Sequence, residues 1–190
     1  MIDNNKQFEN VASQDKLIWL DLEMTGLDPL QNVIIEAAVV ITDSDLNIVD
    51  QSSSYAIFQP EEELKKMDNW NLTTHTKSGL LEKVKSSKYY VEDVENEILT
   101  LIKQHVGQHK SPLCGNTVHQ DRKFLARYMP RLENYLHYRN LDVSTIKELA
   151  KRWHPDIYNG FKKHNKHEAL ADILESINEL KYYREKIFIS

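Results

Sequence analysis

Asp21 and Glu23 end an apolar run that begins at Leu17, and their residue types and spacing suit metal chemistry. In a β-strand, side chains two residues apart point to the same face, so the two carboxylates would lie side by side. Neighbouring carboxylates that lose hydration repel each other unless a cation lies between them, and Mg²⁺ favours carboxylate oxygens. The pair therefore predicts a divalent-metal site, while the plainer alternative is that both acids reach solvent beyond the strand.

Two later segments carry side chains that suit the same site. Asp121 follows a short apolar strand, residues 112–114, and lies in an early turn of a predicted helix. Asp172 lies in the first turns of the last predicted helix, where the helix dipole favours a negative charge. His167 precedes that helix on a polar loop and could act as a general base near neutral pH, although most loop histidines only contact solvent. His164 on the same loop is the alternative base, and the spacing to Asp172 favours His167.

The order of these residues resembles the DEDD superfamily of 3′→5′ exonucleases, in the branch whose general base is a histidine. This branch has Asp-x-Glu, then Asp, then His-x₄-Asp, whereas the sister branch would need a tyrosine where this chain has Glu168. The resemblance covers about residues 16–183 and rests on three ordered motifs: Trp19 to Pro29, Leu113 to Leu125, and Tyr138 to Leu149. It implies a ribonuclease H-like fold, which is an α/β domain with a mixed β-sheet flanked by helices.

The resemblance also implies hydrolysis of phosphodiesters by a two-metal mechanism. The metal ligands would be Asp21, Glu23, Asp121 and Asp172, and they would hold two divalent cations, Mg²⁺ or Mn²⁺. His167 would take the proton from the attacking water. A zinc site is disfavoured, because the sequence has no Cys/His cluster with ligand spacing.

A set of contacts to a short single-stranded RNA substrate follows from the same resemblance. The implied residues are Leu27, Trp70, His75, Thr117, Gln120, Tyr138, Arg139 and Ser144. Leu27 and Trp70 would sandwich the terminal bases, and His75 would lie near the scissile end. Tyr138 and Arg139 would reach across a twofold homodimer interface and help to cap the 5′ phosphate. From the residues alone, Trp70 lies in a polar stretch with no apolar periodicity to explain it, so it could stack on a base or, equally, fold back over the core.

One position departs from the family pattern. Thr117 stands where the family would have serine, and it keeps the hydroxyl. The expectation of a polar contact from this position is therefore retained.

The composition limits the substrate and the compartment. The formal net charge is −5, whereas proteins that bind long nucleic acids are usually basic because they neutralise many phosphates. Short oligonucleotides therefore suit this chain better than long duplexes. The single cysteine, Cys114, cannot form an internal disulfide, and no apolar run approaches the ~20 residues that span a bilayer. The first residues also lack a secretory signal pattern, so we expect a cytoplasmic protein without a membrane anchor.

The apolar pattern predicts one domain, residues 16–190, after an N-terminal extension of residues 1–15 that we expect to be flexible. Predicted strands cover residues 16–23, 33–42, 48–50 continued by 55–58, 112–114 and 138–142. Predicted helices cover residues 91–106, 118–129, 143–153 and 168–186.

These observations predict a metal-dependent exoribonuclease that degrades very short oligonucleotides to 5′-mononucleotides, the final step of RNA decay. A related exonuclease that trims tRNA or proofreads DNA is the nearest alternative, and it would be expected to carry more basic surface or extra aromatic wedges. The alternative of a different class is a catalytically silent module that binds oligonucleotides. All five catalytic positions are filled in this sequence, which argues against that module.

Overall fold

The computed structural model describes residues 16–162 and 167–188, so the predicted extension of residues 1–15 and His164 lie outside the described residues. Within these ranges six strands form one mixed sheet. The strands are β1 (Leu17–Met24), β2 (Ile34–Thr42), β3 (Ile48–Gln51), β4 (Tyr55–Ala56), β5 (Leu113–Gly115) and β6 (Asn140–Asp142). Their order is β3-β2-β1-β5-β6, with β4 also paired to β2. Strand β1 runs antiparallel to β2 and parallel to β5, and β6 runs parallel to β5.

Helices cover both faces of the sheet. Four of them are long: α4 (Val91–His105), α5 (His119–Tyr128), α7 (Val143–Trp153) and α9 (Ala169–Lys186). The shorter helices are α1 (Glu61–Leu64), α2 (Asn69–Lys77), α3 (Leu80–Ser86), α6 (Pro130–Tyr135) and α8 (Pro155–Gly160). Within the described ranges, no helix is long and apolar enough to cross a membrane.

Strand β1 divides its side chains between two hydrophobic cores. Ile18, Leu20 and Leu22 pack into the core that contains the apolar faces of α4 and α5. Trp19 packs into the opposite core, together with the buried face of α9. Because side chains alternate along a strand, Asp21 and Glu23 share the α9 face with Trp19. The predicted pairing of the two carboxylates on one face is therefore what the fold produces.

The predicted elements agree with the structure to within two residues at their ends, and helices that were not predicted account for most of the differences. The expected third strand is two strands, β3 and β4, and both pair with β2. Strand β6 begins at Asn140, so Tyr138 and Arg139 precede the strand that they were predicted to begin. Helices α1, α2, α3, α6 and α8 were not predicted, because each is short and buries few apolar side chains. Trp70 consequently lies on helix α2 and not on an irregular segment.

Candidate active site

Strand β1 and the start of helix α9 bring three predicted site residues together. Glu23, His167 and Asp172 each present a ligand atom, and all three atoms lie within 4.8 Å of one another. Glu23 comes from β1, Asp172 from the first turn of α9, and His167 from the residues just before that helix. We call these three residues the acid–histidine cluster. Asp21 lies on the same face of β1 but is not a member of this cluster.

Burial and mutual repulsion raise the pKa values of the carboxylates around the cluster. Burial raises the pKa of Glu23 to about 8, and the charges of Asp172, Glu36 and Asp121 add to that rise. Burial likewise raises the pKa of Asp121 to about 7, with a further rise from Asp142. Asp121 lies in the first turn of α5 and accepts the Leu22 N–H at 3.1 Å, which partly opposes its rise in pKa.

This crowding provides a test of whether the residues fit a metal. Several carboxylates that stay close together without water favour protonation, unless a cation supplies positive charge between them. Hard oxygen donors from Glu23, Asp172 and the neighbouring Asp121 are the ligands that Mg²⁺ and Mn²⁺ accept. The donor set therefore fits a divalent-cation site.

Glu36 supports the cluster from the next strand. It lies opposite Glu23 in the β1–β2 register, is buried, and accepts the backbone N–H of Ala169 at 2.9 Å. Its carboxylate thus satisfies an N–H at the start of α9, where Glu168 provides no side-chain cap. This contact ties the beginning of α9 to the sheet directly beside His167. The sequence contained a sign of a special role for this residue, because Glu36 interrupts an otherwise apolar run.

His167 and Thr117 both have left-handed backbones. Their φ angles are +53° and +59°, in a region that non-glycine residues rarely adopt. Such conformations cost on the order of 1–3 kcal/mol each and persist only where the surrounding structure holds them. Two residues that the sequence assigned to the site therefore carry local strain.

A cleft of about 760 Å³ opens beside the acid–histidine cluster. His167 forms one wall, and the opposite wall is one face of helix α2 formed by Trp70, Thr73, Thr74 and Lys77, with Asn69 and Ser78 at its ends. The Trp70 side chain is 60 % exposed, and its ring meets the His167 ring edge-on at 5.4 Å between centroids. We call this space the α2 cleft. Its four-residue face follows i, i+3, i+4, i+7 spacing, a helical signal that a search for apolar residues alone misses.

His75 and Leu27 are two further residues of the predicted substrate contacts. His75 is on α2 and is buried, and burial together with the nearby His167 lowers its pKa, while the Met24 backbone opposes part of this shift. Leu27 follows β1 and is 72 % exposed. The Gln120 side-chain amide donates to the Leu27 carbonyl and so holds the loop that carries this exposed side chain. Leu27 is thus an exposed apolar side chain on a held loop, and its contact with a base stays a prediction.

Thr117 and Ser144 form a second polar group, which we call the hydroxyl pair. Their Oγ1 and Oγ atoms lie 3.1 Å apart, and their backbone N–H groups both donate to Oδ1 of Asp142, at 2.9 and 3.0 Å. Asp142 caps helix α7 in this way, and its charge also reaches Asp121. The hydroxyl pair is therefore electrostatically linked to the carboxylates of the site.

Tyr138 and Arg139 are not joined to the cluster within one chain by any contact that the structure records. Tyr138 is 75 % exposed and stacks on His137 at 4.4 Å, and the Arg139 guanidinium lies 5.5 Å from the Tyr138 ring centre. Arg122 holds this turn by donating to the carbonyls of His137 and Tyr138, both at 2.6 Å. No role for Arg122 was predicted from the sequence, because its contacts with the turn exist only in the folded chain.

Comparison with known proteins gives the family. A model of the RNase_T exonuclease family matches residues 18–180. The chain is 56 % identical over 176 residues to the oligoribonuclease of Bordetella pertussis, which covers 93 % of this chain and 97 % of that protein. It is 58 % identical over 171 residues to the oligoribonuclease of Chromobacterium violaceum, which covers 90 % of this chain and 94 % of that one.

Solved structures with the same fold include exonuclease I of Escherichia coli bound to single-stranded DNA and zinc. The TM-score is 0.70 at 15 % identity, over 92 % of this chain and 41 % of the exonuclease I chain. The present chain thus spans about two-fifths of exonuclease I, and this likeness concerns the fold. Exonucleases of this type use divalent metals, and the acid–histidine cluster could hold such an ion. The chain belongs to the oligoribonuclease family of exonucleases.

Proposed function

We propose that this protein is a 3′→5′ exoribonuclease that hydrolyses very short RNA oligonucleotides, dinucleotides above all, to 5′-mononucleotides. The observation that carries the proposal is that His167, a member of the acid–histidine cluster, lines one cleft together with the exposed Trp70 ring. The cluster suits phosphodiester hydrolysis, while the indole face suits stacking on a base without selecting its identity. The similarity to oligoribonucleases supports RNA as the substrate and the last step of RNA decay as the role.

Two divalent cations, Mg²⁺ or Mn²⁺, would be held by Asp21, Glu23, Asp121 and Asp172. When bound, such cations make water a better nucleophile at neutral pH and stabilise negative charge on the leaving oxygen. The raised pKa values of Glu23 and Asp121 support this assignment, because carboxylates that resist ionisation alone gain most from a nearby cation.

His167 accepts the proton that the attacking water loses. Its position within the cluster supports this role, since a general base must lie within hydrogen-bond reach of the proton that it removes. Its edge-on contact with Trp70 also links the base to the residue that holds the substrate. Leu27 and Trp70 bracket the bases, and His75, with its lowered pKa, remains a neutral donor or acceptor at the scissile end.

The limit on substrate length would come from contacts with the 5′ end of the oligonucleotide, away from the bond that is cut. The hydroxyl pair and Gln120 contact the end that carries the 5′ phosphate, and Tyr138 and Arg139 of one chain complete this contact in the neighbouring chain of a homodimer. Their exposure and their separation from the cluster within one chain support a role toward a neighbour. Residues 16–190 would form the single exonuclease domain, and the buried thiol of Cys114 fits a reducing compartment, the cytoplasm.

Product analysis tests the proposal directly. We expect RNA of two to ten nucleotides, labelled at the 5′ end, to shorten from the 3′ end, fastest for the dinucleotide and only with Mg²⁺ or Mn²⁺. Release of internal fragments, or equal rates at all lengths, would contradict the proposed direction or length preference. A DNA dinucleotide and a structured tRNA substrate test the two related exonuclease activities.

Subunit mixing tests the homodimer. Asp121→Ala removes a metal ligand, and Tyr138→Ala removes the contact that each chain would give to its neighbour. In a mixed dimer one site has its own Asp121 and receives Tyr138 from the other chain, so up to about half of wild-type activity should return. A mixture that stays inactive despite measured subunit exchange would show that Tyr138 does not act across an interface.

A further inference from the structure

The side-chain amide of Asn116 has one permitted orientation. Its Nδ2 atom lies 2.8 Å from Ser176 Oγ and 3.2 Å from Glu179 Oε2, both on helix α9. The Ser176 hydroxyl gives its proton to the Asp172 carbonyl at 2.8 Å, so its oxygen must accept from Asn116. An ionised Glu179 carboxylate can only accept. The NH₂ group of Asn116 therefore points to α9, and its carbonyl oxygen points away from it.

This orientation fixes the protons of the hydroxyl pair. Ser144 Oγ lies 2.8 Å from Asn116 Oδ1, and because that oxygen can only accept, Ser144 must donate its single proton to it. Thr117 Oγ1, 3.1 Å from Ser144 Oγ, must then be the donor in the contact between the two hydroxyls. A directed relay thus runs from Thr117 to Ser144, to Asn116, and on to helix α9. In this relay, Thr117 holds the proton that can turn outward to an anion.

Glu179 is the member that makes the relay obligatory. Ser176 could reverse by rotating its hydroxyl, whereas a carboxylate has no proton to offer. Glu179 is buried, and its second oxygen, Oε1, accepts from Lys147 Nζ at 3.3 Å and from Tyr183 OH at 3.4 Å. A buried carboxylate is often no better for stability than an apolar side chain, so packing alone gives little reason for this residue. Its position at the end of a hydrogen-bond relay gives a functional one.

We infer that Glu179 is a positioning residue that sets the preference of the enzyme for a 5′-phosphorylated end. The inference rests on the proposed function, in which the hydroxyl pair contacts that phosphate. With Glu179 in place, Ser144 remains turned to Asn116, and the Thr117 proton alone turns from Ser144 to a phosphate oxygen. With a neutral glutamine at residue 179, the Asn116 amide can adopt both orientations, and the hydroxyl pair loses its fixed direction.

The test compares a dinucleotide with and without a 5′ phosphate. In Glu179→Gln we expect the ratio of the two kcat/KM values to fall about tenfold, the effect of one well-directed hydrogen bond to a charged group, while the dephosphorylated dinucleotide is cut at close to the wild-type rate. Tyr183→Phe is the matched control, because it removes a contact to Oε1 and leaves the Oε2 contact with Asn116. We expect it to keep the wild-type ratio.

A double variant tests whether the preference depends on the direction of the hydrogen-bond relay or on the packing of residue 179. In the double variant Asn116→Asp with Glu179→Gln, residue 179 can donate, and residue 116 can only accept from Ser144, so the relay regains its direction and net charge. We expect the double variant to recover the preference that Glu179→Gln loses. A change in stability without a change in the ratio would be the mark of a structural role.

The outcomes distinguish this inference from the proposed function. If wild-type protein cuts neither dinucleotide, the proposed function falls and this inference with it. If wild-type protein is active but shows no preference for the 5′ phosphate, or Glu179→Gln keeps the wild-type ratio, only the inference is overturned. Should Glu179→Gln fail to fold, Asn116→Ala breaks the relay at its middle member, and an unchanged ratio there overturns it equally.

Discussion

The acid–histidine cluster and the α2 cleft meet at His167, yet they are built in different ways. The cluster takes its two carboxylates from β1 and α9, two long elements packed on one core, and its histidine from the residues just before α9. Glu36 anchors the start of α9 to the sheet. The α2 cleft is lined by one face of a short helix, and its most prominent side chain, Trp70, is largely exposed. One region is rigid and partly buried, and the other is open.

This difference suits the role that we propose for each region. Proton transfer and metal ligation require atoms held to within a fraction of an ångström, which strands and helices supply better than loops. Stacking on a base tolerates every base and small displacements, because every base has a π-face. We therefore expect substitutions in the acid–histidine cluster to reduce the rate of the chemical step, and substitutions in the α2 cleft to reduce substrate binding.

The largest effect should come from the carboxylate next to the cluster. Asp121→Asn keeps an acceptor for the Leu22 N–H and removes the charge, so turnover should fall below detection while the far-UV circular dichroism stays unchanged. Glu95→Gln is the control. Glu95 is equally buried but pairs with Arg131 away from the site, so the variant should unfold at a lower temperature and retain its turnover. Near-wild-type turnover of Asp121→Asn at saturating Mg²⁺ would remove Asp121 from the metal ligands.

The next largest effect should come from replacing His167, the proposed general base. His167→Ala should lower kcat by about 10²-fold or more, the range for losing a general base, and should leave KM for the dinucleotide nearly unchanged. His164→Ala is the matched variant on the same loop and should have wild-type kcat. Single-turnover rates would measure the chemical step alone. The opposite pattern, with damage from His164→Ala only, would assign the base to the other histidine.

A smaller effect should follow from opening the α2 cleft. Trp70→Ala removes the stacking surface, so KM for the dinucleotide should rise by roughly 5- to 150-fold, the equivalent of about 1–3 kcal/mol, with a smaller change in kcat. Trp70→Phe keeps an aromatic face and should recover most of that loss. Leu72→Ala, an exposed apolar residue on the same helix, should have little effect. A fall in kcat alone would indicate that Trp70 acts through His167 and not through the substrate.

A different kind of effect is expected on stability, where the pH dependence of unfolding distinguishes the two regions. Because the pKa of Glu23 is raised to about 8, its folded form retains a proton that the unfolded chain loses near pH 4.5. Stability from this group is therefore complete below about pH 4.5 and declines as the pH rises to about 8, by up to about 1.4 kcal/mol per pH unit. We expect the Tm of metal-free protein to fall over this range, and Mg²⁺ to restore it.

Glu23→Gln gives the comparison for that measurement. It removes the titrating group, so its Tm should change less between pH 5 and 8 than the wild-type Tm. Trp70→Ala, which changes the α2 cleft and no carboxylate, should follow the wild-type profile. Parallel profiles for wild-type protein and Glu23→Gln would show that Glu23 ionises freely in the folded state.

The elements that carry the acid–histidine cluster were predicted from the sequence far better than the helix that lines the α2 cleft. Strand β1 and helix α9 have strong apolar periodicity, and it fixes which face Glu23 and Asp172 share. Helix α2 has almost no such pattern, since its residues are polar on most sides. Its start did carry a local signal, because the Asp68 side chain caps the helix by accepting the Asn71 N–H at 2.8 Å.

The supporting contacts could not be predicted from the sequence. Asn116 stands 28 residues before Ser144 and 63 before Glu179, and no periodicity relates positions so far apart. The left-handed backbones of Thr117 and His167 are likewise imposed by tertiary contacts, since neither residue type favours that conformation as glycine does. The resemblance supplied roles for individual residues, whereas only the fold shows how their neighbours hold them.

The placement of Glu23 on β1 and Asp172 on α9 also sets when this protein can first act. About 150 residues separate them, a length that a ribosome synthesises in roughly 8–30 s. A growing chain that has emerged only as far as α2 already carries Trp70 and the residues of one cleft wall, but it has no partner for Glu23. With the roles proposed for Glu23, His167 and Asp172, hydrolysis of RNA can begin only after α9 has been made and has packed on the sheet. The emerging chain is therefore inactive toward RNA beside the ribosome that is making it.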